Sequence, residues 1–95
     1  MKKTMVRTVG KQILKLPLST NEKMILTIIH MFSDGGRDRL TYEFIAERAS
    51  LLQWTTSLIL HDLVAKGYLA SVPVEKKGTR YDHYSLSANF LSSID

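Results

Sequence analysis

Two short helical segments held three residues apart, closed by a glycine and followed by a strand, restrict this chain more than any other feature. Residues 41–49 begin at Thr41, a helix-capping type, and turn Ile45, Ala46 and Ala49 to one face. Ser50-Leu51-Leu52 makes a brief turn. Residues 53–66 then carry an inward stripe of Thr56, Ile59, Leu60 and Leu63 at helical spacing, and Gly67 stops the helix. A connection this short makes the two helices immediate neighbours packed at an angle.

The flanking segments supply the rest of a small core. Upstream, Ser19-Thr20-Asn21-Glu22 has the form of a capping box, in which the serine hydroxyl and the glutamate each satisfy a free helix N–H. From residue 20 to 32, Ile25, Ile28, Ile29 and Phe32 share one face and Lys23, Thr27 and His30 the other, the pattern of a half-buried helix. Ser33-Asp34-Gly35-Gly36 ends it, and residues 37–40 suit a short strand. Downstream, residues 68–74 suit a strand with Pro73 at an edge, residues 75–80 a polar loop, and residues 81–86 a returning strand with Tyr84 and Leu86 inward. Phe90, Leu91 and Ile94 make the tail a candidate docking helix.

Charge is unevenly placed. Residues 1–21 hold Lys2, Lys3, Arg7, Lys11 and Lys15 and no acid, whereas residues 22–95 hold eight basic and nine acidic side chains. A basic arm on a near-neutral body points to a polyanion, with nucleic acid ahead of a membrane surface. The alternative is a solvated tail. Met5, Val6, Val9, Ile13, Leu14 and Leu16 make the arm partly apolar, so it is either a short amphipathic helix or an extended docking segment, ended by Pro17. The division is residues 1–17 as basic arm, 18–87 as folded domain and 88–95 as tail.

Composition narrows the chemistry. Ninety-five residues make one domain, too small for a core plus a deep small-molecule chamber. The absence of cysteine removes disulfides, thiolate metal sites and cysteine nucleophiles, and fits a reducing cytoplasm. No stretch approaches the ~20 apolar residues of a membrane span. Arg7, Lys11 and Lys15 interrupt any signal-peptide h-region. His30, His61 and His83 lack metal-ligand spacing, Gly35-Gly36 lacks a phosphate-loop pattern, and Tyr42, Tyr68, Tyr81 and Tyr84 suit packing. The expectation is a cytoplasmic non-enzyme without cofactor or metal.

Helix, short strand, helix, turn, helix and basic-tipped hairpin is the order of a winged helix-turn-helix. Tyr42-Glu43-Phe44-Ile45-Ala46, the turn at Ser50-Leu51, and Lys66-Gly67-Tyr68-Leu69 at the close resemble that family's pattern, with Tyr84-Ser85-Leu86 like its closing wing strand. Ile13-Leu14, Leu18-Ser19 and Glu22-Lys23 resemble the lead-in of winged helices in plasmid and phage replication proteins. The likeness covers residues 13–86. It implies a mainly α fold with a small β-hairpin (α+β): three helices plus a two- to three-stranded wing.

The resemblance also implies sequence-specific duplex DNA binding, in transcription, replication or DNA transfer, with the third core helix in the major groove. Its outward residues are Gln53, Trp54, Ser57, Leu58 and His61. Gln53 can pair with adenine, Ser57 and His61 can bond base edges, and Trp54 and Leu58 can meet thymine methyls. The sequence departs from the family habit because no Lys or Arg lies between Ala49 and Ala65, and Asp62 adds negative charge. Phosphate contacts would come from Lys76, Lys77, Thr79 and Arg80 on the wing and from Lys2, Lys3, Arg7 and Lys11 on the arm. Alternatively the wing charges only keep a hairpin edge soluble. Arg37 and Arg39 either touch the backbone or face solvent. Trp54 and Leu58, one turn apart, leave three possibilities: DNA contact, a protein interface or homodimer, or core covered by the arm or tail.

Overall fold

Side chains of Ser19, Thr41 and Ser87 each satisfy a free backbone N–H where a helix starts. The computed structural model describes the backbone of residues 2–34 and 39–93, and side chains from Val9 onward except Asp34. Along it run α1 (Lys2–Lys15), α2 (Thr20–Asp34), α3 (Tyr42–Ala49), α4 (Gln53–Ala65), β1 (Leu69–Lys76), β2 (Thr79–Leu86) and α5 (Ala88–Ser92). Pro17 follows the end of α1, whose Leu14 carbonyl accepts from Lys23 Nζ at 2.7 Å. The capping box of α2 is reciprocal: Ser19 N–H donates to Glu22 Oε1 at 3.0 Å, and Glu22 N–H donates to Ser19 Oγ at 3.2 Å. Thr41 Oγ1 caps α3 by accepting from the Phe44 N–H.

The helix-turn-helix connection depends on a left-handed residue. Ser50 takes φ 57°, ψ 40°, and the next N–H, that of Leu51, closes on the Ala46 carbonyl at 3.0 Å. Gly67 ends α4 in the same manner at φ 89°, with Tyr68 N–H on the Leu63 carbonyl at 3.0 Å. Thr56, the one polar side chain in the core among the described residues, back-bonds its hydroxyl to the Leu52 carbonyl at 3.0 Å.

The hairpin pairs Leu69 with Leu86 at its base and Lys76 with Thr79 at its tip. The expected loop over residues 75–80 shrinks to Lys77-Gly78, both at positive φ (52° and 79°). Two consecutive left-handed residues are what a type I′ hairpin turn demands, and its twist matches that of the strands. Lys76, Thr79 and Arg80 therefore lie on strands instead of in a loop. The expected strand over residues 37–40 is corrected in its second half. Positions 37 and 38 lie outside the described residues, and Arg39 and Leu40 are not strand. Leu40 meets β2 through its carbonyl, which accepts from Tyr84 N–H at 3.0 Å, and through its N–H, which donates to His83 Nδ1 at 3.1 Å. The second bond runs to a side chain, so no ladder propagates, and the sheet described has two strands.

One core joins every layer. Ile25, Leu26 and Ile29 of α2 meet Ile45 of α3, Leu60 and Leu63 of α4, Leu40, Leu69 and Tyr84. Ile28, expected inward, is only partly buried, and Leu26 takes its place. Val9 and Ile13 of α1 enter the same core, as does Phe90 of α5. The charge-rich N-terminal segment is thus a docked helix over these residues. Of the tail, Phe90 docks: Ser87 caps α5 through the Phe90 N–H, and Phe90 meets Tyr68 edge-to-face at 5.5 Å, whereas Leu91 is exposed and Ile94 lies outside the described residues. The fold is α+β, with α2, α3, α4 and the hairpin in winged-helix order.

Candidate nucleic-acid interface

Burying Thr56, Leu60 and Leu63 on one side of α4 forces the intervening residues outward. Gln53, Trp54, Leu58 and His61 are exposed, and Ser57 is half-buried. Trp54 is 73% exposed and Leu58 52%, and Leu52, which opens the helix, is 76% exposed. The possibility that arm or tail covers Trp54 and Leu58 is therefore excluded for the described segments. Phe90 of the tail goes to Tyr68 instead.

The electrostatics of α4 are unusual for a DNA-facing helix. It carries no Lys or Arg, and the first cation after it, Lys66, is already engaged. Lys66 Nζ bonds Asp62 Oδ2 and Glu22 Oε2, each at 2.9 Å. These partners raise its pKa, while Lys66 and the Ser19 N–H draw Glu22 down to about 2. The Asp62 charge that would oppose a phosphate is thereby held against a cation. Leu52 supplies no side-chain cap, so the only positive potential native to α4 is that of its first-turn N–H groups.

The wing tip gathers three water-facing cations, Lys76, Lys77 and Arg80. Lys76, Lys77, Thr79 and Arg80 are all exposed around the two-residue turn. The register sets Arg80 opposite Glu75, with Nε 3.8 Å from Oε2 and both side chains open to water. A pairing that exposed is weak enough to exchange for a phosphate. Between the wing and the start of α3 lies a cleft of about 430 Å³ lined by Arg39, Thr41, Tyr42, Arg80, Tyr81 and Asp82, among others. Arg39 lies 4.4 Å over the Tyr81 ring there. The sequence gives no sign of that stacking, because residues 39 and 81 are brought together only by the Leu40 junction. Lys11 is exposed on α1, whereas the side chains of Lys2, Lys3 and Arg7 lie outside those described. A second, apolar groove of about 410 Å³ runs between α1 and α2, lined by Leu14, Thr20, Lys23, Met24, Thr27 and Ile28.

Among the described residues, no group of three or more His, Asp or Glu could hold a metal. No helix there is long and apolar enough to cross a membrane.

Residues 7–92 match the family model of the DnaD N-terminal domain. The chain belongs to that family. The DnaD-type domain is also similar in structure to S. aureus MepR, solved bound to ethidium bromide, with a TM-score of 0.68 at 17% identity. That alignment covers 99% of the DnaD-type domain and 65% of the MepR chain, so the domain spans just under two thirds of that protein. At this identity the likeness establishes the winged-helix fold alone. None of the curated proteins compared with the chain matches it.

Proposed function

We propose that this DnaD-type domain binds duplex DNA at defined sites, with α4 in the major groove and the wing along the backbone. It would serve as a cytoplasmic, plasmid- or phage-type accessory factor in replication, transcription or DNA transfer. The observation that carries this is the division of labour on the surface. The hydrogen-bonding side chains Gln53, Ser57 and His61 lie along the outward side of α4, which has no Lys or Arg, while Lys76, Lys77 and Arg80 ring the wing tip. This arrangement supports a reading in which base reading and phosphate holding fall to separate elements. Lys2, Lys3, Arg7 and Lys11 would add phosphate contacts from α1, and Thr79 would add a neutral one from the wing.

Selection of binders from random duplexes by gel shift, at low and high salt, tests the proposal. A consensus whose base preference changes in Gln53→Ala, Ser57→Ala or His61→Ala places α4 on base edges, at about 1–3 kcal/mol for a good contact. An identical consensus in all three variants removes α4 from base reading.

The competing role is protein association, through homodimerisation or another partner, and the exposure of Leu52, Trp54 and Leu58 favours it. Tight self-association by sedimentation, with DNA retention indifferent to salt, would select that role.

A further inference from the structure

Trp54 is the one tryptophan of the chain, and it stands 73% exposed on the second residue of α4. Large aromatic surface left in water is costly unless something covers it in function. Its neighbours are also apolar: Leu52 precedes the helix and Leu58 lies one turn on, both more than half exposed. Inside a base-paired duplex these side chains could reach only groove edges, since base faces are covered by their stacking neighbours. Unpaired bases expose their faces, and an indole offers a plane of matching size. The same helix has no Lys or Arg, so it attracts bases better than it attracts phosphates. The phosphates of a single strand still need cations, and the wing provides Lys76, Lys77 and Arg80.

We infer that Trp54 is a stacking platform for an unpaired base, and that the domain's target is DNA in which duplex meets single strand. This rests on the DNA-binding role proposed above and specifies its substrate. Ser57 and His61, further along α4, stay on the paired side, while Trp54 at the N-terminal end of the helix receives the first base beyond the pairing. Leu52 and Leu58 flank the stacked base and exclude water from its edges.

The single tryptophan makes the test direct. The full chain is titrated, by intrinsic fluorescence and by gel shift, with a blunt duplex, with the same duplex bearing an unpaired thymidine tail, and with that tail made abasic. The tailed duplex quenches Trp54 emission and binds at least about fivefold more tightly than the blunt one, the lower end of a base–aromatic stack. The abasic tail abolishes both effects while retaining its phosphates. Trp54→Ala loses the tail preference, so that it binds tailed and blunt duplex alike, and Trp54→Phe retains part of the preference. Circular dichroism confirms that these surface variants fold. Equal affinity for blunt and tailed duplex, with unquenched emission, overturns the inference and leaves duplex binding standing. Absence of binding to all three overturns both. A concentration-dependent blue shift without DNA, lost together with dimer mass in Trp54→Ala, shows the platform to be a protein interface and also overturns it.

Discussion

Ser50 holds the left-handed corner between α3 and α4 at φ 57° without being glycine. A Cβ there crowds the following carbonyl and costs about 1–2 kcal/mol, which glycine avoids while adding freedom to the unfolded chain. Ser50→Gly is expected to raise the unfolding free energy by about 0.5–1 kcal/mol, seen as a higher urea midpoint at unchanged slope. A lower midpoint would mean that the serine hydroxyl supports the corner. The contrast with Gly67 is instructive. A glycine after an apolar stripe announces a helix end, whereas a serine at the same geometry announces only a turn. Trp54 is equally undecided at this scale, because its spacing suits groove, interface and core alike; only the packing around it leaves it bare.

At the scale of elements, the wing shows how register controls charge. The Lys77-Gly78 turn leaves Lys76 beside Thr79 and Glu75 beside Arg80, so the tip presents two lysines plus an arginine weakly tethered to an acid. Replacing Lys76, Lys77 and Arg80 by alanine is expected to weaken binding to all sequences alike. The salt slope should also flatten by about 0.9 for each phosphate that the variant no longer neutralises. Unaltered slope in the folded triple variant would confine the wing charges to solubility. Helix α1 poses the opposite case, in which charge draws attention from apolar spacing. Ile13 is fully buried and Val9 nearly so, four residues apart on one face. Ile13→Ala is expected to destabilise by about 2–5 kcal/mol, read as an early thermal or urea transition. Removing residues 1–12 strips Val9 from the core as well, so it should lower stability along with DNA affinity. A truncated chain as stable as the full one would return α1 to the status of an appended arm.

At the scale of the whole molecule, one polar tie joins the start of α2 to the residue that follows α4. Glu22 accepts from Ser19 within its own cap and from Lys66, which also holds Asp62. Because the folded pKa of Glu22 is about 2, below its ordinary 4.5, the ionised form is favoured by folding. Its contribution is therefore complete above about pH 5 and is lost as pH falls from 4.5 toward 2. Glu22→Gln is expected to lower stability at neutral pH by about 1 kcal/mol, since water around the half-open Lys66 screens the pair. It should also flatten the acid limb of a stability–pH curve. An unchanged acid limb would locate the acid sensitivity elsewhere.

Helices α2 to α4, the caps at Ser19 and Thr41 and the winged-helix order were legible because they depend on local rules. Capping residues, helical periodicity and glycine stops act within a few positions, and Ser19, Thr41 and Gly67 do what their types dictate. The choice of Leu26 over Ile28 for the core, the burial of Val9 and Ile13, and the tie of Leu40 to His83 were not legible. Each depends on which distant surface arrives at a given face, and periodicity marks a face without naming what meets it. The candidate site divides along the same line. Its hydrogen-bonding helix and basic hairpin could be read from residue types, but the exposure of Trp54, the stacking of Arg39 on Tyr81 and the capture of Lys66 by two acids exist only once separate elements are packed together.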